Sequence, residues 1–295
     1  MPQSKPKASP NAGSIRGIVV IGASRSGTKF LSNHLLQHSK VFAVTIGENS
    51  SGIAESSVFS GLSNAFPDLS RPDEFVGFTH LWSESFEYRA TKLGPDFLYN
   101  LEPRPKTPVA AFKAAMEEGA RRTGCTHWLT KMSPGQYLRF QSELRDCRVV
   151  TITRDLDAML RSRINVSYSK RPFAGAMFNV LERTATKKLG NDGPHVEFEK
   201  LRDATKKTLS SLCNQLDLPW EETMLDLPFK PNTSFGKTSK TRTVPFSVKA
   251  ASRMVNLTPA FVAKMPIRSF YRHSRRLTRG TFRHLVTDRL GGYSK

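Results

Sequence analysis

A strand, a turn bounded by two glycines and a helix follow one another near the N-terminus, and this segment constrains the fold more than any other. Ile18 to Ile21 is a run of four apolar residues, which is typical of a buried strand. The turn Gly22-x-x-x-x-Gly27 follows it, and the apolar pattern then predicts a helix over Thr28–His38. The backbone N–H groups of such a turn and the positive end of the helix dipole attract anions. The segment therefore predicts a phosphate-binding site.

The residues after the second glycine differ from those of a nucleoside triphosphatase. Such a loop needs Lys and then Ser or Thr at these places, to hold the terminal phosphates and Mg²⁺. Here Gly27 is followed by Thr28 and Lys29, and the cation inside the turn is Arg25. The turn therefore predicts phosphate binding without the residues that handle Mg²⁺-triphosphate. The alternative is a glycine needed only for packing, and Arg25 inside the turn argues against it.

A second strand-to-helix junction carries another cation. The predicted strand Val149–Thr153 ends in Arg154-Asp155, and Ser162 lies two helical turns further on. A triphosphatase strand would end here on an acid that holds Mg²⁺, without a neighbouring cation. Arg154 and Ser162 can lie on one face and bind a second phosphate.

With these two motifs the chain resembles the sulfotransferases that use 3′-phosphoadenosine 5′-phosphosulfate (PAPS). The family's first signature matches Arg25-Ser26-Gly27-Thr28, and its second matches Arg154-Asp155 and Ser162, with Leu156 in place of the usual Pro. The resemblance extends over residues 17 to 245 and includes three weaker matches: Lys131-Met-Ser-Pro134, Phe198-Glu199-Lys-Leu201 and Asn232-Thr-Ser-Phe235.

The resemblance implies a role for each matched residue. The N–H groups of Ser26, Gly27 and Thr28, with the Thr28 hydroxyl, would hold the 5′-phosphate. Arg25 would lie beside the bridging oxygen, and Lys131 would approach the sulfuryl group or the acceptor. Arg154 and Ser162 would hold the 3′-phosphate. The resemblance implies no metal and the following cofactor-binding residues: Arg25, Ser26, Gly27, Thr28, Lys29, Arg154, Ser162, Ser234 and Lys237. Lys240 is an alternative to Lys237. For Lys29, the alternative is a solvent-facing position on the helix without a role in binding.

The resemblance also directs the search for a catalytic base. Cytosolic small-molecule members have a His just after the Lys131 element, where this chain has Met132 and Ser133. Carbohydrate and protein-tyrosine members use a Glu after the first helix, in a context that His38-Ser-Lys-Val41 and Gly47-Glu48 resemble. Glu48 is therefore the predicted base. The alternatives are Glu55, His80 and His127, and for each histidine a structural hydrogen-bonding role is the competing interpretation.

Alternating apolar segments predict an α/β fold of three layers with a central, mainly parallel sheet. The resemblance implies that this is the P-loop nucleotide-hydrolase-like fold of the sulfotransferases. The remaining predicted strands are Val41–Thr45, Thr126–Thr130 and Val196–Phe198, and the remaining predicted helices are Pro134–Leu144, Asp157–Tyr168 and Leu201–Leu216. Residues 49–125 show no clear pattern, and we expect the acceptor pocket there because family members vary most in that region. We expect a disordered tail over 1–14 and one domain over 15–295, with a basic helical segment over about 247–295.

Charge and composition restrict the partners. The chain carries a net charge of +20, and the part from Lys237 onward has fourteen Lys or Arg and one acid, Asp288. This excess predicts a hydroxylated, anionic acceptor or a peripheral membrane contact, and a solvated helix face is the alternative. The absence of an apolar span and of a signal peptide, together with three scattered cysteines, favours a cytoplasmic protein. A P-loop kinase or a basic nucleic-acid-binding protein is the competing function, although no nucleic-acid-binding module is recognisable.

Overall fold

The apolar segment at the N-terminus forms the central strand of a parallel sheet. The computed structural model describes residues 15–45, 52–54, 56–164 and 172–227. Five strands in these residues form one sheet in the order β2-β3-β1-β4-β5, and every pair is parallel. The strands are β1 (Arg16–Ile21), β2 (Val41–Ala43), β3 (His127–Met132), β4 (Arg148–Thr153) and β5 (His195–Glu197).

The alternation of side chains along β1 explains why the sheet is covered on both faces. Val19 and Ile21 pack into one core, and Ile18 and Val20 pack into another on the opposite face. All four side chains are fully buried. A strand that is apolar on both faces needs helices on both faces, so the predicted three-layer α/β fold is confirmed.

Ten α-helices in the described residues supply the outer layers. They are α1 (Thr28–Leu36), α2 (Ser57–Ala65), α3 (Pro72–Ser83), α4 (Phe86–Arg89), α5 (Pro108–Arg122), α6 (Pro134–Phe140), α7 (Leu156–Ile164), α8 (Pro172–Leu189), α9 (Phe198–Asp203) and α10 (Thr205–Gln215). None of the helices in the described part of the chain is long and apolar enough to cross a membrane.

Several predicted boundaries were wrong. Helix α1 ends at Leu36, strand β2 ends at Ala43, and helix α6 ends at Phe140, each earlier than predicted. Strand β3, in contrast, continues past Thr130 to Met132, and Lys131 lies inside it with 5% of its surface exposed. Lysine is seldom buried in a strand, and this residue therefore looked like part of the following loop.

The region after β5 also differs from the prediction. Phe198 begins α9 instead of ending the strand, and the predicted single helix over Leu201–Leu216 is divided at Ala204. Ala204 has φ −139° and ψ 53°, which is not a helical conformation, and no proline or glycine in the sequence marks the break. The predicted apolar face is confirmed, since its members are all buried: Leu201, Leu209, Leu212 and Leu216.

The helices of two regions were not predicted. Residues 56–125 contain α2 to α5, which cover the face of the sheet that Val19 and Ile21 contact. Helix α8 lies between β4 and β5 in sequence and buries Asn179 and Glu182. The described residues do not include 1–14 or 228–295. The predicted tail, the extent of the domain and the basic segment over 247–295 therefore stay predictions.

The start of β1 provides a test of this packing. A Cβ atom added at Gly17 would lie 2.4 Å from the Trp128 ring and 2.7 Å from the Cys147 sulfur. We expect Gly17→Ala to lower the free energy of unfolding by about 1–3 kcal/mol, because overpacking displaces buried side chains. Gly94→Ala is the control, since no atom lies within 4 Å of the added Cβ. Urea denaturation measures both, and equal stability of the two variants would contradict the packing described for β1.

Candidate active site at the carboxyl edge of the sheet

The turn after β1 is tightly folded. Ser26 N donates to the Ala23 carbonyl at 3.0 Å, which closes the turn. Two residues adopt left-handed backbone conformations, Arg25 with φ 73° and Gly27 with φ 99°. Glycine adopts this conformation without strain, whereas an L side chain such as that of Arg25 does so only when its surroundings hold it there.

The turn leads directly into the N-terminus of α1. Leu31 N donates to the Gly27 carbonyl at 3.0 Å, and within the described residues no side chain caps this helix. The first N–H groups of a helix have no acceptor inside the helix, so this end can receive an anion. One implied donor needs correction, because the Ser26 N–H already donates within the turn. The Ser26 hydroxyl is fully buried instead, and no described residue is its hydrogen-bond partner.

The second junction follows β4. The Asp155 carboxylate accepts a hydrogen bond from Ala158 N at 2.8 Å, which caps the first turn of α7. Leu156 is the first residue of this helix, a position where Pro is favoured in other proteins. The acid next to Arg154 therefore has a structural partner at the start of the helix.

The two junctions meet at the carboxyl edge of the sheet. Arg25 Nε donates to Ser162 Oγ at 2.9 Å, and Arg154 Nη1 donates to the Arg25 carbonyl at 3.3 Å. The Ser162 hydroxyl accepts from Arg25 and keeps its own proton for another acceptor. The structure thus connects Arg25 to both Ser162 and Arg154, a contact that the two motifs did not predict, and the phosphate-binding roles of these residues stay a prediction.

Phe198, which the sequence analysis did not include in the site, connects the two junctions. A Cβ added at Gly27 would lie 2.3 Å from the Phe198 ring, so the ring requires a glycine there. On the other side, the Arg154 guanidinium lies over the same ring, 4.6 Å from its centroid. The signal was present in the sequence, since Phe198 occupies the aromatic position of the Phe198-Glu199-Lys-Leu201 element.

Arg154 is a cation in a half-buried place. Burial lowers the pKa of its guanidinium, the nearby Glu199 raises it, and the neighbouring Arg25 lowers it. Its Nε atom is buried and has no hydrogen-bond partner in the described part of the chain. An unpaired buried donor is unfavourable, and an anionic ligand would supply the missing acceptor.

A groove of about 480 Å³ opens beside Arg154. Burial also lowers the pKa of Arg183 and the pKa of Lys187. The residues that line the groove include Thr153, Arg154, Arg183, Lys187, His195 and Glu199.

The candidates for the catalytic base receive different outcomes. Glu48 and Glu55 lie outside the described residues, as do Ser234, Lys237 and Lys240. His127 begins β3, and because parallel strands all run the same way, it lies at the sheet edge opposite to the two junctions. It is therefore not placed to act on a ligand bound there. His80 is exposed in the last turn of α3, and Lys29 is half-buried in the first turn of α1.

The chain belongs to the sulfotransferase family. The model of that family, described as "Sulfotransferase family", matches residues 17–222, which include both junctions. The family is one of transferases, so the chain is assigned to that class of enzyme. A search of curated proteins finds no match.

The chain is similar to three solved structures. A sulfotransferase domain from the curacin biosynthetic pathway is 14% identical, with 88% of this chain and 98% of that chain covered and a TM-score of 0.47. A sulfotransferase domain from the Synechococcus PCC 7002 olefin synthase is 16% identical, with 89% of this chain and 96% of that chain covered and a TM-score of 0.45. The sulfotransferase STF9 from Mycobacterium avium is 12% identical, with 89% of this chain and 77% of that chain covered and a TM-score of 0.40.

The unpartnered hydroxyl of Ser26 gives a test of the site. We expect Ser26→Ala to leave the free energy of unfolding of the ligand-free protein unchanged within about 1 kcal/mol, because it removes a buried hydroxyl that has no hydrogen-bond partner among the described residues. The same variant should reduce the stabilisation by adenosine 3′,5′-bisphosphate. The control is Ser63→Ala, since the buried Ser63 hydroxyl donates to the Ser60 carbonyl at 2.9 Å. That variant should lose stability and keep the ligand effect. A Ser26→Ala protein with an unchanged ligand effect would remove Ser26 from the site.

Proposed function

We propose that this sulfotransferase takes a sulfuryl group from PAPS and transfers it to a hydroxyl group of an acceptor. The observation that carries the proposal is the contact of two cationic junctions: Arg25 bonds to Ser162, and Arg154 bonds to the Arg25 carbonyl. A nucleotide with phosphates at both its 5′ and 3′ positions suits two such adjacent sites.

The described groups fit the two ends of such a nucleotide. The 5′-phosphosulfate would lie at the start of α1, held by the N–H groups of Gly27 and Thr28 and by the hydroxyls of Ser26 and Thr28. The 3′-phosphate would lie against Arg154, whose Nε has no described partner, and the remaining proton of Ser162. Gly27, which packs against Phe198, has no side chain, so a phosphate could approach the backbone of the turn closely.

The structure also bears on the competing function of a P-loop kinase. In such an enzyme the acid after β4 would hold Mg²⁺. In this chain the acid is Asp155, whose carboxylate caps α7 instead, and its backbone N donates to Glu199 at 3.0 Å. The arrangement favours binding of a bisphosphate by arginine and backbone groups.

The proposed transfer is an in-line displacement at sulfur, governed by positioning and charge stabilisation in the way of phosphoryl transfer. The new bond forms between the acceptor oxygen and sulfur while the bond from sulfur to the phosphate oxygen breaks. Arg25 would stabilise the negative charge that develops on the leaving phosphate. Lys131, near the carboxyl end of β3, would neutralise charge on the sulfuryl group or orient the acceptor.

We further propose Glu48 as the base that takes the proton of the acceptor hydroxyl, as in the carbohydrate and protein-tyrosine members that its context resembles. The acceptor would then be a carbohydrate or another hydroxylated metabolite. An anionic acceptor would suit the basic segment after Lys237, which would attract it over a distance.

The first prediction concerns the nucleotide. Adenosine 3′,5′-bisphosphate should raise the melting temperature without Mg²⁺, and more than ATP with Mg²⁺ does. Arg154→Ala should remove most of the preference for a 3′-phosphate, because a charged hydrogen bond contributes about 1.5–3 kcal/mol. Arg148→Ala is the control, an exposed arginine at the other end of β4. Equal stabilisation by the two nucleotides in the unmodified protein would overturn the proposed donor.

The second prediction concerns the base. Glu48→Gln should lower turnover by about 10²- to 10⁴-fold, the usual contribution of a general base, and should leave the bisphosphate-induced thermal shift intact. His80→Ala should keep its activity. If Glu48→Gln stays active while Glu55→Gln or His80→Ala is inactive, the base has been assigned to the wrong residue and the proposed donor is unaffected.

A further inference from the structure

Helix α8 buries two polar side chains beside the turn after β1. Asn179 and Glu182 are 1% and 2% exposed. They are three residues apart, so they lie on the same face of the helix. Burying an amide and a carboxyl group is unfavourable unless their polar atoms find partners, so the contacts of these two residues indicate what the helix face is for.

Both side chains bind the backbone of one residue in the turn. Asn179 Nδ2 donates to the Ser24 carbonyl at 2.8 Å, and Ser24 N donates to Glu182 Oε2 at 3.3 Å. The side chain of Ser24 is exposed. The helix therefore fixes the peptide groups of Ser24 through hydrogen bonds to its backbone N and carbonyl, and these bonds do not involve the Ser24 side chain.

The residue after Ser24 is Arg25, whose left-handed φ of 73° needs support from its surroundings. The contacts with Asn179 and Glu182 hold the backbone before it, and the bond from Ser26 N to the Ala23 carbonyl holds the backbone after it. With its backbone held on both sides, the Arg25 side chain reaches Ser162.

The next residue of α8 holds the other junction. Arg183 Nε donates to the Arg154 carbonyl at 2.8 Å. One turn of a single helix is thus bonded to the backbone of the β1 junction through Asn179 and Glu182, and to the backbone of the β4 junction through Arg183. A helix bonded to both junctions restrains the distance between them, in addition to the pairing of β1 with β4.

From these contacts we propose that α8 is a positioning element, which sets the spacing of the two anion subsites and so determines the selectivity for a doubly phosphorylated nucleotide. This inference rests on the proposed function. Binding at one subsite makes binding at the other intramolecular, and the gain depends on how well the spacing matches the ligand. A less well-defined spacing should weaken the binding of adenosine 3′,5′-bisphosphate. It should leave the binding of 5′-AMP, which has one phosphate, nearly unchanged.

The test measures the ratio of the Kd of 5′-AMP to the Kd of the bisphosphate by calorimetry. Glu182→Leu removes the acceptor for Ser24 N and should lower this ratio by about tenfold. Glu182→Gln keeps a carbonyl oxygen at the same place and should restore most of the ratio. Asn179→Ala, which removes only one neutral hydrogen bond, should lower the ratio and provides the measurement if Glu182→Leu does not fold.

Thr186→Val is the matched control on the same helix. The Thr186 hydroxyl is buried and bonds to the Glu182 carbonyl at 2.8 Å, within the helix. This variant should leave the ratio unchanged even where it lowers the melting temperature.

Two results would overturn the proposal. One is a lower melting temperature of the Asn179 and Glu182 variants with an unchanged ratio, which would make α8 a structural support only. The other is an equal loss of affinity for both nucleotides, which would limit its effect to the β1 subsite. A failure of the proposed function is distinguishable, since the unmodified protein would then show no preference for the bisphosphate.

Discussion

The parallel pairing of β1 with β4 is the constraint on which the site depends. In this register Ile21 pairs with Thr151, and β4 continues for two residues beyond it. Neighbouring strands lie about 4.8 Å apart, and parallel strands deliver their following loops to the same edge of the sheet. Arg25 and Arg154, which are 129 residues apart in the sequence, therefore meet with a hydrogen bond between them. The proposed pair of anion subsites therefore depends on both junctions.

The partners of Arg154 also matter for its charge. In the described part of the chain, the guanidinium donates to a backbone carbonyl and lies over the ring of Phe198, and both partners are neutral. Glu199, the acid that raises the pKa of Arg154 most, accepts a hydrogen bond from Asp155 N. Neutral partners orient a guanidinium without cancelling its charge, whereas a direct carboxylate partner would compete with an incoming anion. The two neutral partners of Arg154 thus orient its guanidinium and leave its charge unneutralised by a direct carboxylate contact.

Sequence reasoning succeeded where the determining interactions are local. The apolar run of β1 depends on residues close in sequence, and the structure has this buried strand as predicted. Helix α8 was missed because Asn179 and Glu182 are buried, which interrupts the apolar pattern of a helix, and their partner Ser24 is about 155 residues away. The contact of Phe198 with the first turn also joins residues distant in sequence. The Phe198-Glu199-Lys-Leu201 element marks the aromatic residue, but no local pattern shows what its ring contacts.

Different interactions explain the residue types at the two positions of the first turn that have a positive φ. At Gly27 the Phe198 ring leaves no room for a Cβ, so packing requires glycine in addition to the φ of 99° that favours it. At position 25 a glycine would adopt φ 73° without strain, yet the chain has an arginine there, which costs of order 1–3 kcal/mol. An unfavourable conformation of this kind persists where the side chain is needed and the surroundings hold the backbone. The bonds from α8 to Ser24 are such a constraint, and they explain how a helix far away in the sequence can sustain a strained arginine in the turn.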